Sequence, residues 1–318
     1  MKRFGKKSYP GWFLGIILFL MFPGATYFYL PSLLAEVRNP VAAWFNPSLK
    51  TVTKPDLRAV GIAHYDQFKW PVDDSIRLAG YICFPEGIPK GTVIALHGYR
   101  SNKNRFLPAA GYFTKDGWNF VAVDLRGHNQ SDGTKTGFSY YERYDISVMM
   151  DSLERKHFPR PYVLYGHSIG AATAVFVAGH RQDIDALILE SAFDDFSNLI
   201  PNYWNYYASK HIPLPNDVCN ALFARIQLPL DSLRPVDIAP RIHVPVIQVQ
   251  GMQDRKVKPE QAESLFRTFA TDRKYFISIP QGNHNRLWLP DEKNYFRTLL
   301  SRLDSLMEES TTVASENW

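Results

Sequence analysis

An α/β fold, a mostly parallel sheet with helices on both faces, is what this sequence predicts, and two observations carry it. From about residue 59 onward, short apolar runs alternate with stretches of helical periodicity, the pattern of strands joined by helical crossovers. Several of those runs are continuous rather than alternating, as in strands buried on both faces. The 318 residues are 45% hydrophobic and 14% aromatic, enough apolar mass for one such domain plus an appendage. That composition excludes a disordered or collagen-like chain.

The first strand-like runs, Val60–Lys69 and Ile76–Phe84, flank a turn at Pro71-Val72-Asp73-Asp74. Thr92–Leu96, Phe120–Asp124, Tyr162–Tyr165, Ala186–Leu189, Val244–Val249 and Tyr275–Ile279 follow, eight in all. Helical stretches lie between and after them. Tyr140–His157 carries Tyr144, Ile146, Met149, Met150 and Leu153 at helical spacing, and Ala171–His180 is small enough to pack closely on a sheet. Pro259–Ala270 and Asp291–Met307 complete the set, and residues 308–318 read as a polar, frayed tail. The domain is therefore expected over residues 59–307. One segment, about 192–240, breaks the rhythm and holds Phe193, Phe196, Tyr203, Trp204, Tyr206 and Tyr207. Long inserts of this kind serve as lids or binding elements, although an ordinary helix pair with an aromatic core fits as well.

Residues 1–35 read as a membrane segment. Lys2, Arg3, Lys6 and Lys7 precede Gly11–Leu30, which is almost wholly apolar and long enough to span a bilayer. Trp12 and Tyr27/Tyr29 suit its two interfaces, and Pro23-Gly24 would kink it. An uncleaved signal-anchor is expected, since Leu33-Leu34-Ala35 is a poor cleavage site; a cleaved signal peptide is the alternative. Either way the basic end faces the cytoplasm and the bulk of the chain the other side. Residues 36–58, with Pro40, Pro47 and Pro55, read as a stiff tether. The net charge of +5 shrinks accordingly. Residues 1–40 hold five cations against Glu36, a net of +4, which leaves +1 for the rest. No basic stripe remains for nucleic acid. Two cysteines, Cys83 and Cys219, are too few for a disulfide scaffold or a thiolate metal site, and whether they pair stays open. No paired histidine spacing and no phosphate-cradling glycine loop is present, so neither a metal nor a cofactor is expected.

The chemistry concentrates at strand ends. Gly166-His167-Ser168-Ile169-Gly170 is a G-x-S-x-G string with a buried strand before it and a small-residue helix after it, the elbow that presents a nucleophile. A serine hydroxyl needs a base oriented by a third group. The expected chain order, Ser then acid then His, is met by Asp254, just past the Val244–Val249 strand, and by His284, just past the last strand. Asp194 and Asp195 are the runner-up acids. Oxyanion donors are expected from the N–H groups of Ile169 and of Tyr99, in the His97-Gly98-Tyr99 turn. His97 reads as a structural hydrogen-bonder and Arg126 as a tie between loops. Tyr203, Trp204 and Tyr207 of the aromatic insert are the candidate substrate contacts.

Taken together, His97-Gly98, Asp124–Gly133, Gly166–Gly170, Gly251–Asp254 and Gly282–His284 resemble an α/β-hydrolase over about residues 60–305, in its serine-aminopeptidase-like and monoglyceride-lipase-like branch. The resemblance implies a largely parallel eight-stranded sheet with a small helical lid after strand six. Asn129, where a glycine is common, and Asn285 after the histidine depart from the pattern. The resemblance implies a serine hydrolase and fixes the reaction type better than the substrate; the aromatic insert points to a small or lipid-like acyl compound, so cleavage of an ester or thioester through an acyl-Ser168 intermediate is expected. An aminopeptidase or amidase, with Glu190 or Asp195 receiving an amine, and a catalytically silent binding module are the alternatives. Oligomeric state is not legible.

Overall fold

The eight apolar runs pair into one sheet in the computed structural model, which describes residues 35–37, 56–207, 223–224, 227–288 and 291–315. In chain order the strands are β1 (Tyr65–Pro71), β2 (Arg77–Cys83), β3 (Thr92–Leu96), β4 (Asn119–Val123), β5 (Tyr162–His167), β6 (Ala186–Glu190), β7 (Val246–Gly251) and β8 (Lys274–Ile279). Their spatial order is β1-β2-β4-β3-β5-β6-β7-β8. The β1–β2 and β2–β4 pairs are antiparallel and all the others parallel. The loops after β3, β4, β5, β6, β7 and β8 therefore gather at one edge, the carboxyl ends of the parallel strands, where open α/β sheets place ligands.

Helices cover both faces: α1 (Leu107–Lys115), α2 (Glu142–Arg155), α3 (Ile169–Ala178), α4 (Phe196–Tyr207), α5 (Pro235–Ile238), α6 (Pro259–Thr268) and α7 (Glu292–Ser315). Alternate residues of a strand point to opposite faces. Ile94 and Leu96 meet Met149, Leu153, Val175 and Leu265 on one side. Val93 and Ala95 meet Phe113, Phe296, Leu299 and Leu303 on the other. Every residue of α3 is buried, which explains its run of Ala, Gly and Val. Fully burying a Phe or Leu side chain contributes about 1.5–3 kcal/mol, so these two layers dominate the stability.

Several boundaries differ from the sequence expectation. Arg58–Val60 is a 3₁₀ turn ended by Gly61 at φ 79°, so the first strand starts only at Tyr65. Helix α1 was not anticipated: Leu107-Pro108-Ala109-Ala110-Gly111 mixes a proline and a glycine into a short apolar stretch, which masks its period. Helix α7 continues to Ser315 rather than giving way to a tail at residue 308.

Nor is the expected tether free at its described ends. Leu57, at its far end, is buried in the core. Ala35 and Val37 are buried too, and Val37 N donates to Thr134 O and Thr136 N to Ala35 O, each at 2.9 Å. Among the described residues no helix is long and apolar enough to cross a membrane; the expected span, residues 11–30, lies outside them.

The insert between β6 and β7 is closed at its base. Phe196 N donates to Leu233 O and Val236 N to Asp194 O, both at 3.0 Å. Its root joins a third apolar cluster, with Phe193, Phe196, Leu199, Phe223 and Leu233 packed on Ile169, Phe138 and Ala35.

Candidate active site

Ser168 stands where β5 passes into α3, at φ 54° and ψ −116°. A positive φ strains any non-glycine residue and survives only where surrounding structure enforces it. Here the enforcing contact is with β3: a Cβ on Gly170 would lie 1.9 Å from Leu96 O, so only glycine lets the helix start this close to the neighbouring strand. Ser168 is 1% exposed.

The structure brings Asp254 and His284 to this serine. His284 Nε2 lies 3.1 Å from Ser168 Oγ, and His284 Nδ1 lies 2.8 Å from Asp254 Oδ2. A carboxylate only accepts, so Nδ1 carries the proton and Nε2 is left to accept from the hydroxyl. Asp254 Oδ1 takes Lys256 N at 2.9 Å and Val257 N at 3.0 Å, which fixes the carboxylate. The two loops are laced together, since Gln253 N donates to Gly282 O at 2.9 Å. Burial holds the His284 imidazole below its ordinary pKa; the Asp254 carboxylate opposes this, while the charges of Lys256 and Arg105 add to it. The imidazole is thus kept neutral, the form that can accept a proton.

Asp194 and Asp195 do not reach it. Asp195 pairs with Arg234 and caps Ser197, and Asp194 accepts Asp195 N at 2.7 Å.

Ile169 is the first residue of α3, where N–H groups have no intrahelical acceptor and point out of the helix end. The turn bearing Tyr99 runs beside the serine: a Cβ on Gly98 would stand 3.2 Å from Ser168 Cβ. That turn rests on buried polar contacts. Leu125 N donates to His97 Nε2 at 3.0 Å, so His97 Nδ1 donates to Gly98 O at 2.8 Å. Arg100 N donates to His128 Nε2 at 3.2 Å. Burial pushes the two imidazoles down to about 4 and about 3, so both are neutral supports. Lys103 and Asp124, both fully buried, form an ion pair directly after the turn. Arg126 ties the loop to Asp145, as a structural role requires. Asn129 sits at φ 39°, a left-handed position asparagine tolerates, and donates to Asp124 Oδ2 at 2.9 Å; this accommodates the replacement of glycine.

Of the insert aromatics, Tyr203 lies with its ring edge-on to His284 at 6.4 Å between centroids. Trp204 is half-buried on α4, and the side chain of Tyr207 lies outside the described residues.

Sequence reasoning missed three supports. His167 Nε2 donates to His284 O at 2.7 Å and so holds the backbone of His284. Ser139 Oγ donates to Ile169 O at 2.9 Å. Glu190, fully buried, accepts from Tyr165 and from Tyr295 at 2.7 Å and pairs with Arg105 at 3.2 Å. Only His167 had a signal, its place inside the motif. Cys83 is a buried free thiol with its pKa pushed up to about 12; Cys219 lies outside the described residues.

A family model described as serine aminopeptidase, S33 matches residues 87–230, which include Ser168 but neither Asp254 nor His284. Protein bem46 of Schizosaccharomyces pombe is 25% identical over 241 residues, 74% of this chain and 75% of its own length. The uncharacterized protein YqkD of Bacillus subtilis is 27% identical over 238 residues, 74% of this chain and 77% of its own. Among solved structures, the Pyrococcus furiosus esterase Pf2001 superposes with a TM-score of 0.67 at 18% identity, covering 81% of this chain and 98% of that one. Strand order, elbow and these likenesses agree on one assignment: the chain has the α/β-hydrolase fold.

Proposed function

We propose that the protein is a membrane-anchored serine hydrolase that cleaves carboxylic esters or thioesters. The observation that carries this reading is one imidazole within hydrogen-bond distance of both a buried serine hydroxyl and a buried carboxylate. In this mechanism His284 Nε2 takes the proton of Ser168 Oγ as the oxygen attacks the substrate carbonyl carbon. The N–H groups of Ile169 and Tyr99 receive the developing oxyanion. Collapse breaks the bond to the alcohol or thiol, which leaves with the proton from His284. Water, deprotonated by the same imidazole, then releases the acid from Ser168. Asp254 holds the tautomer and offsets the imidazolium charge throughout. Tyr203, Trp204 and Tyr207 would line the acyl side.

An amidase reading needs an acid for the substrate's amine. The two acids considered for it are engaged, Glu190 by Arg105 and two tyrosines, Asp195 by Arg234, which favours esters. Anchoring rests on residues 11–30 and the basic residues before them, with the catalytic domain on the non-cytoplasmic side. The test is covalent labelling of the full chain with a fluorophosphonate, alongside hydrolysis of p-nitrophenyl acyl esters and aminoacyl anilides. Labelling that is lost in Ser168→Ala, with turnover of esters alone, is the expected result. Failure to label the wild type would leave a silent binding module, and faster anilide turnover an amidase.

A further inference from the structure

Where the chain enters the domain decides which way the site faces. Ala35–Val37 lie in antiparallel contact with Thr134–Thr136, in the loop after β4 and hence at the site edge of the sheet. That loop continues into the oxyanion region. Phe138 packs on the Tyr99 ring at 5.5 Å, and Ser139 Oγ bonds Ile169 O. Glu142, fully buried, fixes the loop by accepting Thr136 Oγ1 at 2.6 Å, Gly137 N at 2.9 Å and Ser139 N at 3.0 Å. The entry strap is therefore part of the wall beside Ser168. From Leu30, where the apolar run ends, to Ala35 is a reach of at most about 18 Å even fully extended. The headgroup zone alone takes up roughly 5–8 Å of that on each side of the bilayer.

The surface at this edge has the matching character. Among the described residues the exposed large apolar side chains are Ile88, Tyr141, Tyr144, Tyr206 and Met252. Tyr141 and Tyr144 follow the Thr134–Ser139 loop, Tyr206 is on α4, and Met252 is in the turn leading to Asp254; all four lie at the site edge. Ile88 alone is at the opposite end, before β3. Beside them Lys256 Nζ lies 5.0 Å and the Arg255 guanidinium 5.7 Å from the Tyr206 ring centre. Aromatic rings suit the headgroup level at either face of a bilayer, where their amphipathic character is matched.

We propose that this edge rests on the lipid surface, so that the cleft opens toward the bilayer and receives acyl chains from it without their crossing water. The proposal rests on the reading of residues 11–30 as an anchor.

The test uses the full chain in phosphatidylcholine–phosphatidylglycerol vesicles, carrying Cys219→Ser and one added cysteine labelled with bimane. Tyr206→Cys and Met252→Cys report the site edge, Ile88→Cys the opposite end, and fluorophosphonate labelling certifies that each variant is folded. Doxyl-labelled lipid should extinguish the emission at 206 and 252 and leave that at 88 unchanged. Equal quenching at all three positions, or none at 206 and 252 while the chain withstands a carbonate wash, overturns the proposal and leaves the anchor reading intact. Release of the chain by that wash overturns both. A flexible Gly-Ser linker inserted between Pro31 and Ser32 provides a second measurement. It should slow hydrolysis of a bilayer-embedded long-chain ester and leave that of a water-soluble short ester unchanged; equal rates on both overturn the proposal.

Discussion

Replacing Lys103 by methionine isolates what the buried ion pair beneath the Tyr99 turn contributes. Both side chains are fully buried. Lys103 Nζ contacts Asp124 Oδ2 and donates to Gln130 Oε1 at 2.6 Å. Burial pulls the ammonium pKa down and Asp124 pulls it back up, so the charge persists only because its partner is there. Methionine roughly fills the volume, so the loss is electrostatic rather than a cavity. Asp124 would keep Lys103 N at 2.8 Å, Asn129 Nδ2 at 2.9 Å and Gln130 N at 3.2 Å, three dipoles but no cation. Leaving one member of a buried pair uncompensated costs about 3–5 kcal/mol. In a domain of this size that is a drop in Tm of about 6–20 °C. Adding Asp124→Asn removes the stranded charge, so the double variant should be more stable than Lys103→Met alone. Urea unfolding of the wild type and three variants closes the cycle. A single-variant loss below about 1 kcal/mol, the range of an exposed pair, would refute the reasoning. So would strict additivity of the two substitutions.

The pH profile of kcat/KM should have its acid limb centred below the ordinary histidine value, because proton acceptance needs neutral His284 and burial disfavours its charged form; Lys256→Gln should move the limb upward. Asp254→Asn should lower kcat by about 10⁴-fold, the loss seen when a triad acid is neutralised, whereas Asp194→Asn should leave turnover near wild type. Acid should also unfold the protein. His97 and His128 bind protons near 6.5 when unfolded but only near about 4 and about 3 when folded, so stability is complete above pH 6.5 and falls as pH drops toward 4. At pH 5 each contributes a loss of about 2 kcal/mol, measurable as a falling urea midpoint between pH 7 and 5.

The strands were legible because six of the eight are parallel-sheet runs whose continuous apolar character leaves a strong signal, as at Thr92–Leu96, where expectation and structure coincide. Edge strand β1 was not well bounded, since Tyr65–Pro71 alternates only weakly and its upstream turn is apolar as well. Ser168 was found through the glycines that its backbone geometry demands, and Asp254 and His284 through their positions past strand ends. The supports Ser139, Glu190 and Arg105 were illegible for the same physical reason in each case. Their partners are 25 or more residues away in sequence, so nothing local shows what they hold. The docking of Ala35–Val37 is a backbone pairing with a distant loop, invisible in the proline-marked composition around it.

The two ends of the insert between β6 and β7 are joined to each other, where Phe196 meets Leu233 and Asp194 meets Val236, and the body of the insert packs on Ile169. A segment stapled at its neck can be exchanged as one piece, provided the residues that pack on Ile169 keep their apolar character. Under the proposed function, such an exchange revises which substrates are admitted while the chemistry stays with Ser168, and a chimera that exchanges residues 196–233 with those of a relative is expected to take the donor's preference.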